Sequence, residues 1–110
     1  MAKTVGDTIT EARVILNDSA GARYTDVQLV AAFNNAISEA KSLRPDMFVF
    51  GEALPQYTTA DFGQPFPLPQ IVFQSFVYFL AGDAELRDDE FAVDGRAMTL
   101  LGAFKQKLTS

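Results

Sequence analysis

The side chains best suited to chemistry in this sequence are carboxylates that cluster between residues 83 and 94. Five of them form the candidate acidic patch: Asp83, Glu85, Asp88, Asp89 and Glu90. Carboxylate oxygens are the ligands that calcium prefers, and paired carboxylates in an apolar pocket can act as general acid and base. The spacing lacks the Asp-x-Asp-x-Asp-Gly order of a calcium loop, and acids are also common at helix starts. The patch therefore predicts a solvated helix cap, with a metal site, an acid-dependent enzyme or the lining of a DNA channel as alternatives.

Other catalytic arrangements lack the residues that they need. The sequence has no His and no Cys, which excludes zinc fingers, disulfides, and Cys or His nucleophiles. Its serines have no His to activate them, and no Gly-x-Ser-x-Gly elbow, phosphate-binding loop or dinucleotide fingerprint occurs. We therefore expect a protein that is not an enzyme and that binds no cofactor and no metal.

Length and charge narrow the function classes further. A chain of 110 residues with 48% hydrophobic residues predicts one globular domain over 1–110. The net charge of −5 has the wrong sign for a protein that holds DNA by neutralising phosphates. The start, Met1-Ala2-Lys3-Thr4, lacks the apolar run of a signal peptide, and no stretch reaches the ~20 apolar residues of a membrane span. We expect synthesis in the cytoplasm and no membrane partner.

Capping residues and apolar side chains at helical spacing predict four helices. Their approximate ranges are 5–16, 25–44, 69–86 and 88–108. The pair Thr8 and Glu11 has capping-box spacing inside the first helical segment, and Thr25 and Gln28 have it at the start of the second. The third helix begins at Pro69 and is apolar on nearly every side, which predicts a central, buried position.

The segment between the second and third helices differs in composition. Prolines and glycines exclude a long helix there, while Phe48-Val49-Phe50 and Gln56-Tyr57-Thr58-Thr59 favour strands. We expect a β-hairpin or extended arm over about 47–68. The predicted fold is thus mainly α, a small four-helix bundle with this arm.

Aromatic residues concentrate in and after the arm. Seven of the ten Phe fall within 48–79, a region without Lys or Arg. A domain of this size has a limited core, so apolar groups on a projecting arm indicate a partner, such as a second copy of the chain. The predicted interface residues are Phe48, Val49, Phe50, Tyr57, Phe62 and Phe66.

The order of these segments resembles the small adaptor, or head-to-tail connector, proteins of tailed bacteriophages. The likeness covers nearly the whole chain and is carried by patterns of caps and apolar positions, without a catalytic signature. The segments that carry it are 12–18 (ARVILND), 23–29 (RYTDVQL), Ala40 to Asp46, and Leu68-Pro69 leading through an apolar helix into 81–85 (AGDAE). Many relatives have more polar residues where this chain has Phe73, Phe76 and Phe79 in the third helix.

The resemblance implies a ring subunit, usually in rings of twelve, located at the head-to-tail junction of the virion. Its partners would be other copies, the portal protein and the next neck or tail protein, while DNA passes through without specific binding. By position, the arm would contact a neighbour and the C-terminal segment, about 104–110, would reach the portal. The implied portal contacts are Phe104, Lys105, Lys107, Leu108, Thr109 and Ser110. The alternative is a regulatory protein-binding module, an inhibitor or anti-repressor, whose apolar arm captures one partner.

Overall fold

A computed structural model of the chain describes residues 3–16, 18, 24–47, 56–86 and 96–109. Over these ranges the structure is mainly helical, which confirms the predicted class. The helices are α1 (Val5–Ile15), α2 (Asp26–Leu43), α3 (Phe73–Leu86) and α4 (Arg96–Thr109), with 3-10 turns at Pro45–Met47, Thr59–Asp61 and Gln70–Val72.

Hydrogen-bonded caps define the starts of α1 and α2. At α2 the predicted capping box forms: the Gln28 amide donates to Thr25 Oγ1 at 3.1 Å, and the Thr25 amide donates to Gln28 Oε1 at 2.8 Å. At α1 the structure confirms the predicted start at Val5, and the capping box that forms is between Thr4 and Asp7. Thr8, whose spacing to Glu11 is the same, lies inside the helix and is buried. Spacing alone therefore did not show which of the two threonines caps the helix.

The central element is α3, as its apolar sequence predicts. It packs against α1, α2 and α4. Phe79 stacks edge-to-face on Phe104 with ring centroids 4.8 Å apart, and Lys107 lies 5.8 Å from the Tyr78 ring centroid.

The aromatic side chains form a connected core. Phe76 of α3 makes edge-to-face contacts with three rings: Phe33 of α2, Phe66 in the segment before α3, and Phe104 of α4. The ring centroids are 5.5, 5.1 and 6.1 Å from that of Phe76, respectively. Such contacts stabilise by about 0.5–1.5 kcal/mol each beyond the burial of apolar area. One ring thus joins two helices and the segment before α3.

The β-hairpin arm is not supported. Among the described residues the β structure consists of one isolated antiparallel bridge between Thr4 and Pro65. Segment 62–66 lies along the start of α1, where the amides of Val5 and Gly6 donate to the carbonyls of Gln64 and Phe62, both at 2.9 Å. These are amides that a helix start leaves without internal partners. The hairpin prediction is wrong for 56–68, because pairing with α1 replaces pairing between strands; residues 48–55 lie outside the described ranges.

Position 6 requires a glycine because the backbone of Phe62 lies so close to it. A Cβ there would lie 2.9 Å from the Phe62 carbonyl oxygen, closer than real Cβ contacts. The small residue lets the segment come within hydrogen-bonding distance of the helix.

A buried hydroxyl in α3 gives a first testable prediction. Ser75 is buried, and its Oγ has no hydrogen-bond partner among the residues that the structure describes. We expect Ser75→Ala to raise the free energy of unfolding by up to about 1 kcal/mol, because it removes a desolvated hydroxyl and adds a better helix former. Chemical denaturation monitored by circular dichroism measures this change.

The matched control is Thr8→Val, which also removes a buried hydroxyl. Thr8 Oγ1 donates to the Thr4 carbonyl at 3.3 Å, so this change should lower the free energy of unfolding by about 1 kcal/mol. Equal losses of unfolding free energy in the two variants would contradict the interpretation that the buried Ser75 hydroxyl makes no hydrogen bond.

Candidate interaction surfaces

The described part of the predicted arm is held against its own chain. Asn34 of α2 clamps the backbone of Tyr57: its Nδ2 donates to the Tyr57 carbonyl at 3.0 Å, and the Tyr57 amide donates to its Oδ1 at 2.8 Å. The Tyr57 ring packs edge-to-face on Phe33 at 5.3 Å. Burial raises the pKa of the Tyr57 hydroxyl above its ordinary value of 10.0, and the charge of Asp61 adds to the effect.

The aromatic residues of this segment divide into different roles. Phe66 is 8% exposed and belongs to the core, while Phe62 is partly buried against it. Phe66 is therefore corrected as an interface candidate, because the core has room for its ring. The interface role of the partly buried Phe62 and Tyr57 stays a prediction. Phe48, Val49 and Phe50 lie outside the described residues, and their interface role stays a prediction.

The C-terminal candidates alternate between the core and the surface. Phe104 and Leu108 are buried, whereas Lys105, Lys107 and Thr109 are exposed. The first two therefore anchor α4 rather than face a partner, and Ser110 lies outside the described residues. The exposed three keep their predicted role in partner contact.

A hydrogen bond from Arg44 links the end of α2 to the end of α4. Arg44 Nη1 donates to the Leu108 carbonyl at 2.6 Å, while its Nε and Nη2 donate to the Asp46 carboxylate at 3.0 and 2.9 Å. The hydrogen bonds from Arg44 hold the pKa of Asp46 below its usual value. This arginine satisfies a carbonyl that the helix end leaves open.

The acidic patch is not a surface feature where the structure describes it. Asp83 is 9% exposed and Glu85 is 1% exposed, since α3 is surrounded along most of its length. The two are therefore corrected as members of an exposed acidic lining. Asp88, Asp89 and Glu90 lie outside the described residues, and within the described part no group of three acidic side chains could hold a metal ion.

Sequence reasoning missed an exposed apolar tip just before α3. We call Pro67, Pro69 and Ile71 the proline tip; all three are exposed, and Ile71 is 88% exposed. Position 71 falls inside the predicted third helix, for which the sequence indicated burial on nearly every side. The 3-10 turn over Gln70–Val72 changes the helical phase before α3 begins. The prolines at positions 65, 67 and 69 were the sequence signal that could have indicated this tip, because they recur at every second position.

A groove between α2 and α4 was also missed. It has a volume of about 350 Å³ and a floor that includes Phe79 and Phe104. Glu39 of α2 and Asp83 of α3 border it on one side, and Met98, Gly102 and Lys105 of α4 border it on the other. The sequence signal that could have indicated this groove was Gly102, a glycine inside the helix α4.

Comparisons with known proteins identify no relative. No protein-family model, no curated protein and no solved structure matches the chain. Within the described ranges, none of the helices combines the length and the apolar character that crossing a bilayer requires. The function must therefore be argued from the surfaces themselves.

Proposed function

We propose that this chain is a structural subunit of an oligomeric ring at the head-to-tail junction of a tailed bacteriophage. In this role twelve copies join the portal of the capsid to the next neck or tail protein, and DNA passes through the ring. The order of the sequence segments supports the proposal, and the helical class agrees with it. The structural observation that carries it is the proline tip.

The proline tip has the properties of a contact surface. Ile71 is the most exposed of the large apolar side chains in the described residues, and it lies beside two exposed prolines. Proline and isoleucine lose little conformational entropy when they are buried by a partner. The tip is also continuous with segment 56–66, which α1 and α2 hold in place, so a neighbour would meet a preformed surface.

The C-terminal end of α4 is the proposed contact with the portal. Lys105, Lys107 and Thr109 are exposed there, while Phe104 and Leu108 fix the helix to the core. The overall charge of −5 suits a channel that must release DNA rather than bind it.

The test mixes the purified chain with assembled portal rings of a phage that encodes it. Native mass measurement and particle imaging then show whether a ring of many copies forms on the portal. A seated ring is the expected result. No binding to portal rings that still bind their other partners would contradict the proposal and favour a regulatory binding module.

Substitution of the tip makes this test specific. We expect Ile71→Ser to weaken assembly on the portal about tenfold or more, because burial of one isoleucine side chain stabilises by about 1.5–3 kcal/mol. The matched control is Val27→Ser at the start of α2, which removes an apolar side chain that is also exposed. Equal weakening by both variants would show that the tip is not a specific contact.

A further inference from the structure

We propose that Lys3 is a positioning residue for the proline tip and controls whether a partner meets a fixed or a loose surface. This inference deepens the proposed function and rests on it in taking the proline tip as a contact surface. It depends on the contacts of Lys3 around the tip, on the few hydrogen bonds that hold the tip and on the exposure of the tip.

Lys3 contacts residues before, within and after the proline tip. Before the tip, the Phe66 amide donates to the Lys3 carbonyl at 2.9 Å. Within it, the Lys3 amide donates to Gln70 Oε1 in a long hydrogen bond of 3.4 Å. After it, the Lys3 ammonium lies 5.4 Å from the centroid of the Phe73 ring, within the range of a cation–π contact. Lys3 therefore joins the two ends of the segment that carries the tip.

The tip has few other hydrogen bonds. In the part of the chain that the structure describes, residues 66–71 make two hydrogen bonds to another segment, and both end on the Lys3 backbone. The hydrogen bond from the Val72 amide to the Pro69 carbonyl, at 3.0 Å, stays within the turn. Pro67 and Pro69 have no amide hydrogen to donate. The path of the tip thus depends strongly on Lys3.

Two buried rings form the base of the tip. Phe66 and Phe73 belong to the core, and their ring centroids lie 5.3 Å apart in an edge-to-face contact. Ile71 is 88% exposed, so its own side chain adds little that would hold the tip in place. The rings fix the base, and the hydrogen bonds to Lys3 fix the chain between them.

The contacts of Lys3 can open while the helices stay folded. The Lys3 side chain is 45% exposed, and residues 63–65 are exposed. Segments that are held by exposed hydrogen bonds and few buried contacts open locally. Helix α1 keeps its own cap, because Thr4 and Asp7 donate to each other at 2.9 and 3.1 Å. Loss of Lys3 should therefore loosen the tip without unfolding α1.

A fixed tip binds more tightly than a loose one. A partner that fits only the fixed form loses affinity in proportion to the fraction of chains in which the tip is loose. The coupling is reciprocal, so a partner bound to the tip must also stabilise the hydrogen bonds at Lys3. Lys3 thus influences the contact without touching the partner.

The experiment compares a chain that lacks residues 1–2 with a chain that lacks residues 1–3. Both begin with a charged amine close to α1, and they differ in Lys3 alone. Nuclear magnetic resonance relaxation of the Leu68, Gln70 and Ile71 amides measures the motion of the tip. We expect order parameters near about 0.85 in the longer chain and below about 0.6 in the shorter one. The denaturation midpoint should change little.

Equal order parameters in the two chains would overturn the proposal. Loss of the helical circular dichroism signal in the shorter chain would also overturn it, because Lys3 would then hold the fold rather than the tip.

The side chain of Lys3 is tested separately by Lys3→Met. This change removes the charge beside Phe73 and keeps the backbone hydrogen bonds, so the order parameters should fall by a smaller amount. Lys3→Arg keeps the charge and should restore them. The matched control is Lys107→Met, the same change at a lysine 5.8 Å from the centroid of the Tyr78 ring. Equal effects of the two methionine variants on the tip amides would contradict the role of Lys3.

Assembly on portal rings then relates the position of the tip to its use. The chain that lacks residues 1–3 should assemble about tenfold more weakly than the chain that lacks residues 1–2. In the assembled ring, the Phe66 amide should exchange with deuterium at least about tenfold more slowly than in the free chain. Equal assembly by two chains whose tips differ in motion would overturn the positioning role. If even the intact chain does not assemble, the proposed function fails, while the order parameters still decide whether Lys3 holds the tip.

Discussion

Phe76→Ala should lower the free energy of unfolding by about 3–5 kcal/mol, a large part of the stability of a domain of this size. Phe76 is fully buried and contacts Phe33, Phe66 and Phe104. Its removal leaves a cavity where two helices and the segment before α3 meet, and the surrounding rings can close it only in part. Urea denaturation followed by circular dichroism measures the loss.

Phe62→Ala is the control for this prediction. The Phe62 ring is only partly buried, and its carbonyl, which accepts the hydrogen bond from Gly6, is kept in the variant. We expect a loss of about 1–2 kcal/mol. If Phe76→Ala does not fold, Phe76→Leu provides a smaller change that should still cost more than Phe62→Leu, which is an equal reduction in side-chain size. Equal losses at positions 62 and 76 would contradict a core centred on Phe76.

Arg13→Met should have an effect of similar size, about 3–5 kcal/mol. Arg13 is 8% exposed, and its guanidinium donates to the Asp18 carboxylate at 3.3 Å and to the Tyr24 carbonyl at 2.7 Å. It also pairs with Asp26 in the first turn of α2. Methionine keeps much of the volume but leaves the buried Asp18 carboxylate without this positive charge, and the loss should appear as a lower denaturation midpoint.

Lys3→Met is the matched control for the charge effect. Lys3 pairs with Glu11 at 3.1 Å, but both side chains are more than a third exposed. Water screens such a pair, so we expect a loss below about 1 kcal/mol. A loss at Lys3 equal to that at Arg13 would show that burial of the ion pair is not what matters.

The helices could be predicted because their signals are local. The capping box of Thr25 and Gln28 and the proline after Arg44 set the ends of the second helix within a few residues. The continuous apolar sequence after Pro69 indicated the central, buried helix. Each of these signals depends on hydrogen bonds or packing within one or two turns.

The segment before α3 could not be predicted in the same way. Its residues favour strands, yet the open amides of Val5 and Gly6 and the side chain of Asn34 bind its backbone instead. These partners lie more than twenty residues away in the chain. Local preference for strands was therefore overruled by hydrogen bonds that exist only once the helices have packed.

The sequence by itself determined the helical class, the central role of α3 and the absence of His and Cys chemistry, because composition and short-range spacing carry these properties. The tertiary structure decided which side chains face a partner. It buried Phe66, Phe104 and Leu108, exposed Ile71 and opened a groove at Gly102. Exposure depends on how helices distant in the sequence come together, and a hydrophobic residue has the same appearance in a sequence whether its own core or another chain covers it.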